Sequence, residues 1–126
     1  MGDISRDFDR REFACKCGCG FDGISPTLVA LVQEIRDEVG KPVYIESGCR
    51  CPRHNKAIGG VRNSAHLAGE AADIRVEGMR SYYLFRLIRK MHEGGKIQNL
   101  TYCYRPGVYS VHVGVDVKPR TRIFAS

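Results

Sequence analysis

Asp73 and His112 each lie on the polar side of a segment whose other side is committed to a hydrophobic core. Ala71 to Val76 reads as a β-strand with Ala72, Ile74 and Val76 on one face and Ala71, Asp73 and Arg75 on the other. Near the C-terminus Val111, Val113, Val115 and Val117 form a core face, while Ser110, His112, Gly114 and Asp116 point the opposite way. If the two strands pair antiparallel, facing residues have Cβ atoms roughly 5 Å apart, close enough to share one ion. His66 would join them from the loop that leads into the Asp73 strand. Two imidazoles and one carboxylate leave a tetrahedral zinc ion with an open position for water, the coordination of a catalytic rather than a structural site. One tightly bound zinc per chain is therefore expected at His66, Asp73 and His112. His54 and His92 have no such context and are expected to be surface or core polar residues.

Six cysteines is a high count for 126 residues, and five lie in two tight groups, Cys15-x-Cys17-x-Cys19 and Cys49-x-Cys51, with Cys103 alone. No signal-peptide pattern opens the chain, which argues for reduced thiols over a disulfide framework. The one-residue spacing differs from the C-x-x-C of most zinc ribbons, so small buried or half-exposed thiols are expected. The alternative is a structural metal on Cys15, Cys17, Cys19 and either Cys49 or Cys51.

The elements that must position these groups have clear signals. Ser25-Pro26 reads as an N-cap with proline at the first helical position, and Leu28, Leu31, Val32, Ile35 and Val39 recur at helical spacing until Gly40. Pro42 to Glu46 reads as a strand ending in the turn-prone Ser47-Gly48. Cys49 to Gly69 is rich in Gly, Asn, Arg and Ser and is expected to be mostly loop, with a helical turn near Asn55 to Ile58. Leu84, Leu87, Ile88 and Met91 mark a second amphipathic helix that stops at Gly94-Gly95. Two closing strands, near Asn99 to Tyr104 and Tyr109 to Val117, are joined by an Arg105-Pro106-Gly107 turn.

The chain is long enough for one hydrophobic core and too short for two, and no repeat or linker divides it, so a single domain over 1–126 is expected. Hydrophobic residues at 43% and charged residues at 27% exclude global disorder. No apolar run approaches the roughly 20 residues needed to cross a bilayer. A net charge of +6 suggests attraction to an anionic polymer, but the basic residues are scattered. Short groups at Arg50 to Lys56 and Lys118 to Arg122 lack the interleaved aromatics of a single-strand binder. Neither nucleic acid nor membrane is expected as a partner, and a monomer is expected.

Ser64 to Ile74, S-A-H-L-A-G-E-A-A-D-I, resembles the S-x-H-x-x-G-x-A-x-D signature of the zinc D-alanyl-D-alanine peptidases, whose site is shared by the hedgehog amino-terminal domain. S-G-C-R at Ser47 to Arg50 resembles that family's S-G-Y-R, and an N-x-x-x-G-G follows at Asn55 to Gly60. Val111-His112-Val113 resembles the strand carrying the third ligand, and Arg11 to Gly20 is similar to the opening of phage and prophage members. The resemblance implies that His66, Asp73 and His112 bind zinc, that Arg50 binds a substrate carboxylate or polarised carbonyl, and that Ser64 contacts substrate. A planar guanidinium fork suits that task.

In one respect the sequence departs from this family. Members carry an acid three residues before the last histidine or two after it, and those positions here are Tyr109 and Gly114. Asp116 is the candidate base on the same strand face, although about 13 Å along the strand at ~3.3 Å per residue. Glu70 is the other candidate.

These features together predict an α+β fold of the hedgehog and D-alanyl-D-alanine peptidase type: a small, mainly antiparallel sheet, two principal helices on one face and the zinc site on the other. The resemblance implies hydrolysis of peptidoglycan stem peptides, as a carboxypeptidase or an endolysin-type endopeptidase. The enzyme would be made in the cytoplasm without a signal peptide and act on the wall after release or within a phage particle. A catalytically impaired, zinc-stabilised wall-binding or structural module is the alternative, because the expected base is missing. A nucleic-acid binder organised by cysteine-bound zinc is the third and weakest possibility.

Overall fold

A computed structural model describes residues 2–116 and 122–125. Helix α1 spans Pro26–Val39. Ser25 Oγ accepts the Leu28 N–H at 3.4 Å, Pro26 opens the first turn, and Gly40 ends the helix in the left-handed region at φ 70°. Leu28, Val29, Leu31, Val32 and Ile35 are buried along one stripe. Helix α2, Pro52–Ala57, replaces part of the expected loop. Its N-cap is Cys51, whose sulfur accepts the His54 N–H, and proline follows at the first position. A 3-10 turn at Ala65–Ala68 occupies more of that loop, and another lies at Arg10–Phe13. Helix α3, Ser81–Glu93, buries Ser81, Leu84, Phe85, Ile88 and Met91 and ends at Gly94.

The strands are β1 (Val43–Ser47), β2 (Ala71–Val76), β3 (Tyr102–Tyr104), β4 (Val111–Gly114) and β5 (Phe124–Ala125). Among the described residues they form one sheet in the order β1-β2-β4-β3-β5, antiparallel except for the β3–β5 pair. The two closing strands are shorter than expected, and the part of the second that reaches Val117 lies outside the described residues. The Arg105-Pro106-Gly107 turn is part of a longer connection that caps α3. Ser81 donates its backbone N–H to Val108 O at 2.7 Å and its hydroxyl to Gly107 O at 2.6 Å. One open N–H group of the helix start is thereby satisfied by the hairpin, and the hydroxyl adds a second tie to it.

Alternation divides the sheet. Val43, Ile45, Ala72, Ile74, Val76, Cys103, Val111 and Val113 join the buried faces of α1 and α3 in one core, which also takes in Phe8 and Phe13. Those two rings meet edge to face at 5.9 Å and tie the N-terminal segment to the sheet. Each large side chain buried there contributes roughly 1.5–3 kcal/mol relative to exposure. Cys49 enters this core, whereas Cys17 and Cys19 stay exposed. The opposite face of the sheet carries Asp73, His112 and their neighbours. No helix among the described residues is long and apolar enough to cross a membrane.

Candidate metal centre

In the antiparallel register of β2 and β4, Asp73 stands directly across from His112. Asp73 Oδ1 lies 2.9 Å from His112 Nδ1 and 3.5 Å from His66 Nε2. His66 is brought in by the 3-10 turn. Ser64 Oγ accepts the His66 N–H at 3.2 Å, and Gly69 closes the turn at φ 68°, where a Cβ would stand 2.0 Å from Gly23 O. His66 Nδ1 is 2.7 Å from Gly48 O and donates its proton to that carbonyl, which turns Nε2 toward Asp73 as the nitrogen that would meet a metal ion. Both imidazoles are buried and meet edge to face at 5.1 Å.

One donor atom from each of the three residues lies within 4.8 Å of the others. Bonds of about 2.0–2.2 Å to one ion separate tetrahedral ligand atoms by about 3.4 Å, a value bracketed by the 2.9 and 3.5 Å contacts. The nitrogen and oxygen donors are those zinc takes, and the Gly48 carbonyl supplies the outer contact that ligating histidines require. The residues therefore fit zinc. Burial of Asp73 favours its neutral acid, but hydrogen bonds from His112 and His66, together with their charges, outweigh burial and hold the carboxyl well below the usual carboxylate range.

Arg50 enters from the other side. Its Nη2 is 3.5 Å from Asp73 Oδ2, Nε donates to Ser47 Oγ at 3.2 Å, and Nη1 donates to Asn55 Oδ1 at 3.2 Å. Asn55 is buried and also donates Nδ2 to Val61 O at 2.8 Å. A Cβ at Gly60 would lie 2.1 Å from Asn55 Oδ1 and 3.1 Å from Arg50 Nη1, so only glycine leaves room for this clamp. The Asn55 to Gly60 stretch thus holds the guanidinium against the metal site. A cleft of about 560 Å³, lined by Arg50, Val61, His66, Asp73, Tyr104 and His112, opens over it. A depression of about 600 Å³ between the N-terminal segment and α1 contains none of these groups.

Residues 6–113 match the family model for peptidase M15. The chain belongs to the peptidase M15 family. Among curated proteins none matches it. Membership supports a metallopeptidase.

Within this M15 site, Asp116 is not a member of the metal-ligand cluster. Its carboxylate is nonetheless much closer to the site than its place in the sequence suggests. The chain leaves β4 after Gly114, and a Cβ on Gly114 would stand 2.9 Å from Asp116 Oδ1 and 3.7 Å from His112 Nε2. Asp116 and the second nitrogen of His112 therefore flank one bare position, across the imidazole from Asp73. Asp116 is buried. Glu70 precedes β2, and its carbonyl accepts the Val115 N–H at 2.9 Å. Ser64 serves the His66 turn through its hydroxyl oxygen and also lines the cleft. His54 and His92 stand outside the cluster.

Two tyrosines were missed by the sequence reading. Tyr104 pairs with His112 across β3–β4 and stacks on its ring at 4.5 Å and 24°, and Tyr102 also lines the cleft. Alternation around the buried Cys103 was the signal that could have found them. Glu46 was also missed. It accepts the Ser110 hydroxyl at 2.5 Å, two residues before His112.

Proposed function

We propose that the chain is a zinc-dependent hydrolase of peptidoglycan stem peptides, acting as a D-alanyl-D-alanine carboxypeptidase or an endolysin-type endopeptidase. The observation that supports this most is the clamped Arg50 guanidinium 3.5 Å from Asp73, which sets a carboxylate anchor beside a three-residue zinc site. His66, Asp73 and His112 hold the ion, which when bound supplies Lewis acidity and activates water for attack on an amide carbonyl. Arg50 receives a peptide carboxylate or carbonyl in bidentate geometry and fixes the amide in the cleft. Tyr104 and the Gly48 carbonyl hold the two imidazoles in place. Asp116, on the Nε2 side of His112, orients that ring.

Cleavage breaks the amide C–N bond, adds the oxygen of water to the carbonyl carbon, and moves one water proton to the leaving amine. With Tyr109 and Gly114 where relatives carry an acid, proton transfer is poorly assisted, and turnover is modest. The net charge of +6 favours association with anionic wall polymers. Intact peptidoglycan treated with the zinc-loaded protein should release new amine and carboxylate groups in equal number. A zinc-loaded protein that binds walls without releasing either is the impaired binding module instead.

A further inference from the structure

Outside the catalytic cleft, four thiols from two distant parts of the chain converge. The Sγ atoms of Cys15, Cys17, Cys19 and Cys51 all lie within 4.8 Å of one another. Cys15 and Cys17 are 3.4 Å apart, and Cys17 and Cys51 are 3.6 Å apart. These separations are too long for a disulfide, which needs about 2.05 Å. They match a tetrahedron of thiolates around one ion, since Zn–S bonds of about 2.3 Å give S···S edges near 3.8 Å. We propose that Cys15, Cys17, Cys19 and Cys51 hold a second, structural zinc ion.

The local backbone is built for such a cage. On an extended strand, Cys15 and Cys19 would stand about 13 Å apart. Here Gly18 and Gly20 adopt φ of 83° and 88°, Gly18 N–H bonds to Cys15 O, and Cys15 N–H bonds to Phe21 O, curling the loop so that the cysteines face one point. Residues 16–20 are all exposed, so the loop buries no side chain of its own that would offset the entropy of ordering it. Two backbone N–H groups are directed at sulfur: Cys51 N–H at Cys15 Sγ and His54 N–H at Cys51 Sγ, each at 3.4 Å. Cys49, two residues away, is committed to the hydrophobic core and takes no part.

The cage has a mechanical consequence for the cleft. Cys51 adjoins Arg50, whose backbone N–H bonds to His66 O at 3.0 Å, and Gly48 O orients the His66 ring. An ion that ties Cys51 to the N-terminal loop fixes the segment carrying both the anchor and a contact to the zinc-ligating His66. The second site stands whether or not the protein hydrolyses cell wall, because its evidence and its test are independent of turnover.

The test uses the full chain, kept reduced and loaded with cobalt or zinc. Wild type should bind two equivalents of zinc, and its cobalt form should show intense sulfur-to-cobalt charge transfer. Cys17→Ser/Cys19→Ser should lose that band and one equivalent, while His112→Ala should keep the band and lose the other equivalent. X-ray absorption of the zinc protein should show sulfur near 2.3 Å alongside nitrogen and oxygen near 2.0–2.1 Å. A reduced, cobalt-saturated wild type without sulfur charge transfer overturns the proposal, whatever the variants do. So does a wild type that holds a single equivalent lost on His112→Ala.

Discussion

Asp73 and His112 face one another across the β2–β4 ladder, and their Oδ1 and Nδ1 atoms stand 2.9 Å apart. The same strands that send Ile74, Val111 and Val113 into the core send these two side chains to the opposite face. A one-residue slip of either strand would turn its Asp73 or His112 side chain into the hydrophobic interior, so the apolar core fixes the register that brings the two together.

Arg50 tests the substrate anchor separately from the metal. Arg50→Ala should retain zinc at His66, Asp73 and His112 but lose turnover on the order of 10²-fold, as expected for removing one partner of a desolvated charge contact. Arg50→Lys should recover little, because an ammonium cannot reproduce the fork held between Ser47, Asn55 and Asp73. Steady-state kinetics with parallel zinc analysis checks both, and normal hydrolysis by Arg50→Ala would remove it from the site.

Asp116 is expected to act through His112. Asp116→Asn should weaken zinc affinity about 10–100-fold, with activity recovered at high zinc concentration. Competition with a chelator measures the affinity, and a pH–rate profile at saturating zinc should keep its shape. Unchanged affinity with a rate loss of about 10²–10⁴ would instead make Asp116 the general base.

The position of Asp116 also shows where reading the sequence stopped. A uniform rise along an extended strand gave about 13 Å from His112, whereas the Asp116 carboxylate reaches back over the space that a side chain at Gly114 would fill. Helix α1 was legible because three independent signals agree: Ser25, Pro26 and Gly40 bound one apolar stripe. The Asp73–His112 pairing was legible because alternation with period two is strict in both strands. Only the second half of helix α2 was, as the turn expected near Asn55 to Ile58, since a cysteine N-cap carries no strong prior and only six residues follow. The parallel β5 is two residues long, too short for any periodicity. Whether Cys49 or Cys51 joins the N-terminal cysteines depended on how the loop after β1 enters the core, which spacing does not encode.

Acid should destabilise the metal-free protein through Asp73. Its folded pKa is depressed by the two histidines, so the stability it contributes is complete above the ordinary carboxylate pKa of about 3.9 and is lost as pH falls through the lower folded value. Below about pH 4 this one group costs up to roughly 1.4 kcal/mol per pH unit. Urea midpoints of metal-free wild type should fall more steeply from pH 5 to pH 3 than those of Asp73→Asn. Parallel slopes would show that the Asp73 contacts do not stabilise the fold.

The most direct measurement is mass spectrometry of muropeptides after incubation with the zinc-loaded chain. The expected result is new stem-peptide products whose summed mass exceeds the substrate by one water, formed slowly, abolished by a chelator and restored by zinc. Full zinc occupancy with no new product from several wall chemistries would contradict the assignment as a peptidoglycan hydrolase.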